Sequence, residues 1–210
     1  MVSVANRRSV MMLYADSTCP VGHSVRIVLA EKDINVEINY VHEGEETPEE
    51  VAELNPYDSI LTLIDRDLVL YDAQIMMEYL DERFPHPPLM PVDPVARANN
   101  RQLRYRVMRD LYGCIDDITG GNDIAAANAK KQLKDYLTSL SSAFNQLPFF
   151  MSEEYSLVDC CMAPLLWRLD QYGIKLPSSA KPLSQYAKRL FERPAFKESL
   201  SDREREMQAR

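Results

Sequence analysis

The sequence lacks any long uninterrupted run of apolar residues. None of its 210 residues lies in a stretch that approaches the ~18 uncharged apolar residues required by a membrane-spanning helix. Near the N-terminus, two arginines precede an apolar run that is shorter than the hydrophobic region of a signal peptide. We therefore expect no membrane span, no secretion signal and a cytoplasmic location.

Glycine, cysteine and histidine are also scarce. The chain has 6 Gly against 13 Pro, with 4 Cys and 3 His. Four cysteines in a chain of this length do not make a disulfide framework, and reduced thiols are the simpler interpretation. The cysteines and histidines show no metal-ligand spacing, so we expect no metal site.

Positive charge is in deficit. Lys and Arg number 24 against 32 Asp and Glu, which gives a formal charge of −8. A chain this acidic lacks the broad cationic surface that drives phosphate binding, so direct binding of nucleic acid is disfavoured.

The charge is divided unevenly along the chain. Residues 1–85 hold 6 basic and 17 acidic side chains, whereas residues 86–210 hold 18 basic and 15 acidic ones. A proline-rich segment begins the second part. This pattern predicts a domain over 1–85, a linker over 86–92 and a second domain over 93–210.

The first part alternates strand and helix patterns. Short apolar or alternating runs predict strands, apolar residues at helical spacing predict helices, and Asp65-Arg66-Asp67 has the spacing of a hairpin turn. The last helix follows Asp72, with Ile75, Met76, Tyr79 and Leu80 expected to face inward. The order β-α-β-α-β-β-α is that of an α/β thioredoxin-like domain.

The second part shows helix patterns and no strand pattern. A capping box at Ser156–Asp159 precedes a segment that is apolar on nearly all sides, which predicts the buried centre of an all-α domain. Residues 201–210 are expected to be frayed.

Several segments then resemble a known superfamily. The order of domains and the segment around Asn55-Pro56, Leu70-Tyr71-Asp72-Ala73 and Tyr79-Leu80 are similar to the glutathione transferases, which implies the GST fold. Three longer strings, VRIVLAEK (25–32), YLDERFPHPPLMPVDPVARA (79–98) and SLVDCCMAPLLWRL (156–169), resemble one branch, the stringent starvation protein A family of Gram-negative bacteria.

The resemblance implies a function without catalysis. It implies a homodimeric regulator of transcription that binds RNA polymerase holoenzyme carrying the housekeeping sigma factor, sigma70, during starvation and stress. The family's contact with the polymerase would centre on Pro85, His86 and Pro87, with Pro88 beside them. Prolines hold an extended surface of low entropy that a partner recognises cheaply. A stiff linker with an incidental histidine is the alternative for this segment.

The residues that would bind glutathione in this superfamily are altered. The usual cis-proline is replaced by Leu61, and a cis bond before a non-proline residue costs ~3 kcal/mol, so we expect the Ile60–Leu61 bond to be trans or strained. The usual Glu-Ser pair reads Asp72-Ala73, which keeps a backbone amide and loses a hydroxyl. Both changes predict a vestigial site and no cofactor, with at most weak glutathione binding.

Cys19 supports a second hypothesis. Cys19-Pro20 precedes the first helix and Arg26 lies seven residues further on, a spacing that resembles the omega-type and glutaredoxin-like members. A helix N-terminus stabilises a nearby thiolate, so Cys19 is the candidate catalytic residue of a glutathione-dependent thiol transferase. An exposed cysteine without a redox role is the alternative. A GST-fold module for another partner is a third hypothesis.

Two further groups of polar residues remain open to more than one interpretation. His23 could cap the first helix or face a cleft. Arg97, Arg101 and Arg104 recur at helical spacing and predict a cationic stripe. The stripe would serve as a solvated face, as a set of intramolecular ion pairs with the acidic first domain, or as an anion or subunit contact.

Overall fold

The computed structural model describes residues 10–42, 44–57 and 59–207. The chain divides into two compact units. One contains the described residues up to Pro87 together with those from Glu198 onward, and the other spans Pro88–Lys197. The predicted second domain ran to residue 210, whereas the segment from Glu198 lies with the first unit.

A four-stranded mixed sheet forms the centre of the first unit. Its strands are β1 (Met11–Asp16), β2 (Val36–Val41), β3 (Thr62–Asp65) and β4 (Leu68–Leu70). They lie in the order β2-β1-β3-β4, with β1 and β2 parallel and the other two pairs antiparallel. This sheet confirms the α/β thioredoxin-like prediction.

Three helices of this unit cover the sheet. They are α1 (Pro20–Glu31), α2 (Glu49–Leu54) and α3 (Ala73–Arg83). Met76, Met77 and Leu80 of α3 are fully buried, whereas Ile75 is 56% exposed. The prediction that Ile75 faces inward is therefore wrong, because Met77 supplies the buried position beside Met76.

Helices make up the second unit. They are α4 (Pro94–Arg106), a π-helical segment (Val107–Tyr112), α5 (Gly113–Gly120), α6 (Asp123–Leu140), α7 (Leu157–Trp167) and α8 (Lys181–Glu192). Short 3₁₀ turns lie at Ser141–Asn145 and Ser178–Ala180. α9 (Pro194–Ser199) follows α8 at the boundary between the units. The all-α prediction for this part is confirmed.

The helix α7 is the buried centre of the second unit, as the sequence predicted. Every residue from Leu157 to Leu166 is buried. The capping box is present, because the Ser156 hydroxyl accepts from the Val158 amide while the Asp159 carboxylate accepts from the Ser156 amide. Both end amides of an apolar helix are thereby satisfied away from water.

The C-terminal segment differs from the prediction of frayed residues. α10 (Asp202–Glu206) begins with a second capping box, in which Ser201 and Glu204 exchange hydrogen bonds. Glu204 is fully buried and pairs with Arg26 of α1. The prediction was wrong because the segment is held by partners distant in the sequence. Residues 208–210 of the predicted frayed end lie outside the described residues.

Candidate functional site

The proline segment after α3 lies on the surface. Pro85, His86, Pro87 and Pro88 are all exposed, whereas the next two residues, Leu89 and Met90, are buried. Within the described part of the chain, the cis peptide bond is the one between His86 and Pro87. Four consecutive exposed residues, three of them prolines, give a surface of fixed backbone direction that another molecule could contact.

A buried lysine, Lys32, contacts this segment from the interior of the first unit. The ammonium of Lys32, at the C-terminal end of α1, lies 2.6 Å from Asp81 Oδ1 and donates a second hydrogen bond to the Pro87 carbonyl. The Lys32 side chain is fully buried, and that of Asp81 nearly so. The exposed segment is thus connected directly to the interior of the first unit.

Leu61 is the residue that the superfamily resemblance puts in place of the cis-proline. Ile60 and Leu61 lie directly before β3, and the bond between them is trans. Ile60 packs against a buried cluster that includes Tyr14 and Val51. The strained form allowed by the sequence does not occur, since a trans bond avoids the cost of a non-proline cis bond.

Asp72 and Ala73 lie at the start of α3. The Asp72 carboxylate caps this helix and accepts hydrogen bonds from the Gln74 and Ile75 amides at 2.9 and 3.0 Å. Ala73 is buried and has no hydroxyl to offer. Two of the donors at this helix start are therefore used by the chain itself, and a ligand carboxylate would meet the charge of Asp72.

Cys19 is the N-cap residue of α1 and is half-buried. Its side chain makes no capping hydrogen bond. The neighbouring Asp16 carboxylate accepts from the Thr18 amide and hydroxyl, at 2.6 and 2.8 Å, and from the Cys19 amide at 3.2 Å. The thiol is free, but its own amide is already used by a carboxylate and would not meet an incoming anionic ligand.

His23 and Arg26 serve the C-terminal segment rather than a ligand. The Arg26 guanidinium donates to both Glu204 oxygens, at 2.8 and 2.9 Å, and also to the Ser199 carbonyl. His23 Nε2 shares a hydrogen bond of 2.9 Å with Ser199 Oγ, and its Nδ1 lies 3.5 Å from Glu204. Arg26 therefore stands at the omega-type spacing but has a structural partner.

The predicted cationic stripe is only partly on the surface. Arg101 is exposed and Arg97 is half-buried, but Arg104 is buried and its Nε donates to Asn100 Oδ1 at 3.2 Å. The prediction of a three-residue stripe is wrong at Arg104, because the packing of α4 buries that position.

The second unit also contains an apolar groove of about 260 Å³. It lies beside the π-helical segment, and apolar side chains make up most of its lining: Leu103, Val107, Leu111, Leu140, Phe150 and Met151. The charged side chains of Arg106 and Asp110 also line the groove, so its walls are mainly apolar with a few polar groups, as is usual for a ligand pocket.

The remaining three cysteines are buried. Cys114, Cys160 and Cys161 are reduced thiols, and burial raises the pKa of the Cys114 thiol above its ordinary value. Among residues 10–42, 44–57 and 59–207, no group of three His, Cys, Asp or Glu is placed to hold a metal ion. None of the described helices is long and apolar enough to cross a membrane.

Sequence reasoning missed three of the residues that shape these sites. The sequence analysis did not single out Lys32 or Asp81, and no local pattern indicates that they pair over a separation of 49 residues. Glu204 was detectable, since Ser201 and Glu204 have the spacing of a capping box.

Comparison with known proteins assigns both parts of the chain. Residues 13–88 match the family model of the glutathione S-transferase N-terminal domain, and residues 106–194 match that of the C-terminal domain. A solved structure, glutathione transferase Omega 3C from Trametes versicolor, superimposes with a TM-score of 0.81 at 22% identity, covering 93% of this chain and 90% of that one. The fold prediction is confirmed.

Full-length relatives narrow the assignment. A stringent starvation protein A homolog from Pasteurella multocida is 48% identical over 95% of this chain and 94% of its own. One from Coxiella burnetii is 46% identical over 96% of each chain. The chain belongs to the stringent starvation protein A family. Membership in this family, within the GST superfamily, associates the chain with the response to starvation and confirms the resemblance found in the sequence.

In this member of the stringent starvation protein A family, the segment Pro85–Pro88 is exposed, and the half-buried thiol of Cys19 lies at the start of α1.

Proposed function

We propose that this protein is a non-catalytic regulator of transcription that binds RNA polymerase holoenzyme containing sigma70. The observation that carries the proposal is the exposed segment Pro85–Pro88, whose backbone is held on a buried ion pair. Membership in the stringent starvation protein A family supplies the partner by resemblance. An acidic chain can also approach the basic, DNA-facing surfaces of the polymerase and sigma without binding DNA itself.

The proposal includes a cytoplasmic homodimer. Large apolar side chains are exposed in both units, among them Tyr57 at 66% and Val95 at 68%. Exposed apolar side chains of this size are what a second copy could cover. The family resemblance points to a homodimer in the cytoplasm, where RNA polymerase works.

Replacing His86 and Pro87 by alanine is expected to abolish recovery of sigma70 holoenzyme in a pull-down. The change removes the imidazole and one fixed φ angle from the exposed segment without touching a buried side chain. The experiment compares holoenzyme captured by equal amounts of immobilised wild type and His86→Ala/Pro87→Ala protein.

Val92→Ala is the matched control, because Val92 is 91% exposed and lies outside the segment. Light scattering on all three proteins should give the same dimer mass, so that a loss of binding is not a loss of oligomer. Equal recovery by wild type and the double variant would refute the role of this segment.

The second candidate is a glutathione-dependent thiol transferase, and the half-buried free thiol of Cys19 at a helix start is the observation that favours it. Its thiolate would attack the glutathionyl sulfur of a mixed disulfide and release the other thiol. A glutathione thiolate would then attack the Cys19–glutathione disulfide and release oxidised glutathione.

We expect this activity to be absent. The Cys19 amide is already bonded to Asp16, and the start of α3 has lost a hydroxyl, so glutathione should bind with a dissociation constant on the order of a millimolar or weaker. Calorimetry measures the affinity, and reduction of hydroxyethyl disulfide measures turnover. Cys19→Ser is compared with Cys114→Ser, which removes a buried thiol. Turnover that Cys19→Ser alone abolishes would establish the enzyme and contradict the expectation.

A further inference from the structure

The segment Pro85–Pro88 has few backbone N–H groups with which to bond to the rest of the protein. Three of its four residues are prolines and have no amide hydrogen, so the backbone of the segment can be fixed to the protein chiefly through its carbonyl oxygens. A buried carbonyl oxygen needs a hydrogen-bond donor. If that donor is a buried charged group, it must also be paired with a group of opposite charge.

Lys32 meets these requirements. Its ammonium has three N–H donors and no acceptor, and two of the donors are directed at Asp81 Oδ1 and at the Pro87 carbonyl. The Lys32 side chain is fully buried and that of Asp81 is 8% exposed, so the pair is shielded from water. In such a place the ammonium is stable only while both acceptors stay where they are.

The three groups come from separate parts of the first unit. Lys32 is the C-cap residue of α1, Asp81 lies in the last turn of α3, and Pro87 follows α3 by four residues. The carbonyl that Lys32 holds belongs to the residue directly after His86, whose side chain is exposed. The lysine thus fixes the backbone next to the histidine without reaching the surface itself.

We propose that Lys32, with Asp81 as its counter-ion, is the positioning residue for the partner-binding segment. It holds His86 and Pro87 in one orientation in the free protein, so that a partner does not have to order them on binding. This inference rests on the proposed function for its partner, but the ordering of the segment is a property of the free protein.

The test replaces both members of the pair. Lys32→Met alone would leave the buried Asp81 carboxylate without the charge of Lys32 and could unfold the unit, so the variant is Lys32→Met/Asp81→Asn, which removes both charges and keeps side chains of similar size. The matched control is Lys188→Met/Glu192→Gln, an exposed ion pair in α8 with side chains that are 76% and 63% exposed.

Two readouts are measured on each protein. The first is the backbone order parameter of His86 from ¹⁵N relaxation of the free protein, expected to fall from about 0.85 to below about 0.6 in Lys32→Met/Asp81→Asn. The second is affinity for sigma70 holoenzyme, expected to fall about tenfold. When His86→Ala/Pro87→Ala is combined with Lys32→Met/Asp81→Asn, the affinity for holoenzyme should be no lower than that of His86→Ala/Pro87→Ala alone. The α8 control should change neither readout.

The outcomes separate the two proposals. An unchanged order parameter at His86, in a folded variant, overturns the positioning role whatever the partner does. A lower order parameter with unchanged affinity also overturns it, provided that His86→Ala/Pro87→Ala weakens binding. If His86→Ala/Pro87→Ala binds holoenzyme as wild type does, the proposed function fails, and the order parameter alone decides whether Lys32 holds the segment.

Discussion

Glu204→Ala is expected to lower the free energy of unfolding by about 3–5 kcal/mol, because it leaves the buried guanidinium of Arg26 without its counter-ion. Both oxygens of Glu204 accept from Arg26, and the two side chains are fully shielded from solvent. The same carboxylate also accepts from the Ser201 amide at 2.9 Å, so the variant loses the capping box of α10 as well.

The loss is measured by urea denaturation followed by circular dichroism, together with hydrogen exchange of α10. Glu206→Ala removes an exposed acid from the same helix and should change stability by no more than about 0.5 kcal/mol. Arg26→Met/Glu204→Leu removes both charges and should recover most of the loss, short of about 1 kcal/mol for the missing cap. If Glu204→Ala costs no more than Glu206→Ala, the pair does not hold the segment.

This ion pair also shows where prediction from the sequence fails. The capping box at Ser201 is a local pattern and was there to be found, but the partner of Glu204 lies 178 residues away. Residues 201–210 were expected to fray because the segment is short, charged and terminal. Burial by a distant arginine overrides each of those local indications.

Elements defined by local periodicity could be predicted. The helix that follows Asp72 and the helix that follows the capping box Ser156–Asp159 lie where the sequence predicted them, since each depends on nearby residues. The errors at Ile75 and Arg104 have a different cause. A residue at the edge of an amphipathic stripe faces inward or outward according to what packs against it, and the neighbouring element cannot be read from the stripe itself.

In the candidate site, too, features set by local sequence could be predicted, and contacts between distant residues could not. The exposed prolines could be predicted because the residue type alone indicates an extended segment. The altered glutathione residues could be predicted because the superfamily pattern is a fixed order of residues along the sequence. Lys32 could not be located, because a lysine at a helix C-terminus ordinarily lies in water and only the fold brings Asp81 and Pro87 to it. Buried residues that support a surface site, such as Lys32, are therefore the ones that cannot be predicted from the sequence.

The buried carboxylate of Asp159 accepts four hydrogen bonds in the second unit. Its carboxylate receives the Ser156 amide at 2.8 Å and hydroxyl at 3.3 Å, the Phe150 amide at 2.9 Å and the Tyr186 hydroxyl at 2.6 Å. Burial raises the pKa of Asp159, and the four hydrogen bonds oppose that rise. One side chain thus connects the start of α7 to the preceding loop and to α8.

Asp159→Ala is expected to destabilise the second unit by about 4 kcal/mol or more, since it leaves four buried donor groups without their carboxylate acceptor. Tyr186→Phe removes one of the four hydrogen bonds and keeps the ring that stacks on Phe144, so it should cost about 1–2 kcal/mol. Asp170→Ala, at an exposed position, should cost no more than about 0.5 kcal/mol.

The chain offers a direct probe for this comparison. Its single tryptophan, Trp167, lies at the end of α7, so urea unfolding followed by tryptophan fluorescence reports on the helix that Asp159 caps. The three variants should fall in the order Asp170→Ala, Tyr186→Phe, Asp159→Ala, from least to most destabilised. An Asp159→Ala protein with the midpoint of Asp170→Ala would mean that water replaces the carboxylate at no cost. The burial of all four donors to Asp159 argues against that result, because no solvent reaches them in the folded unit.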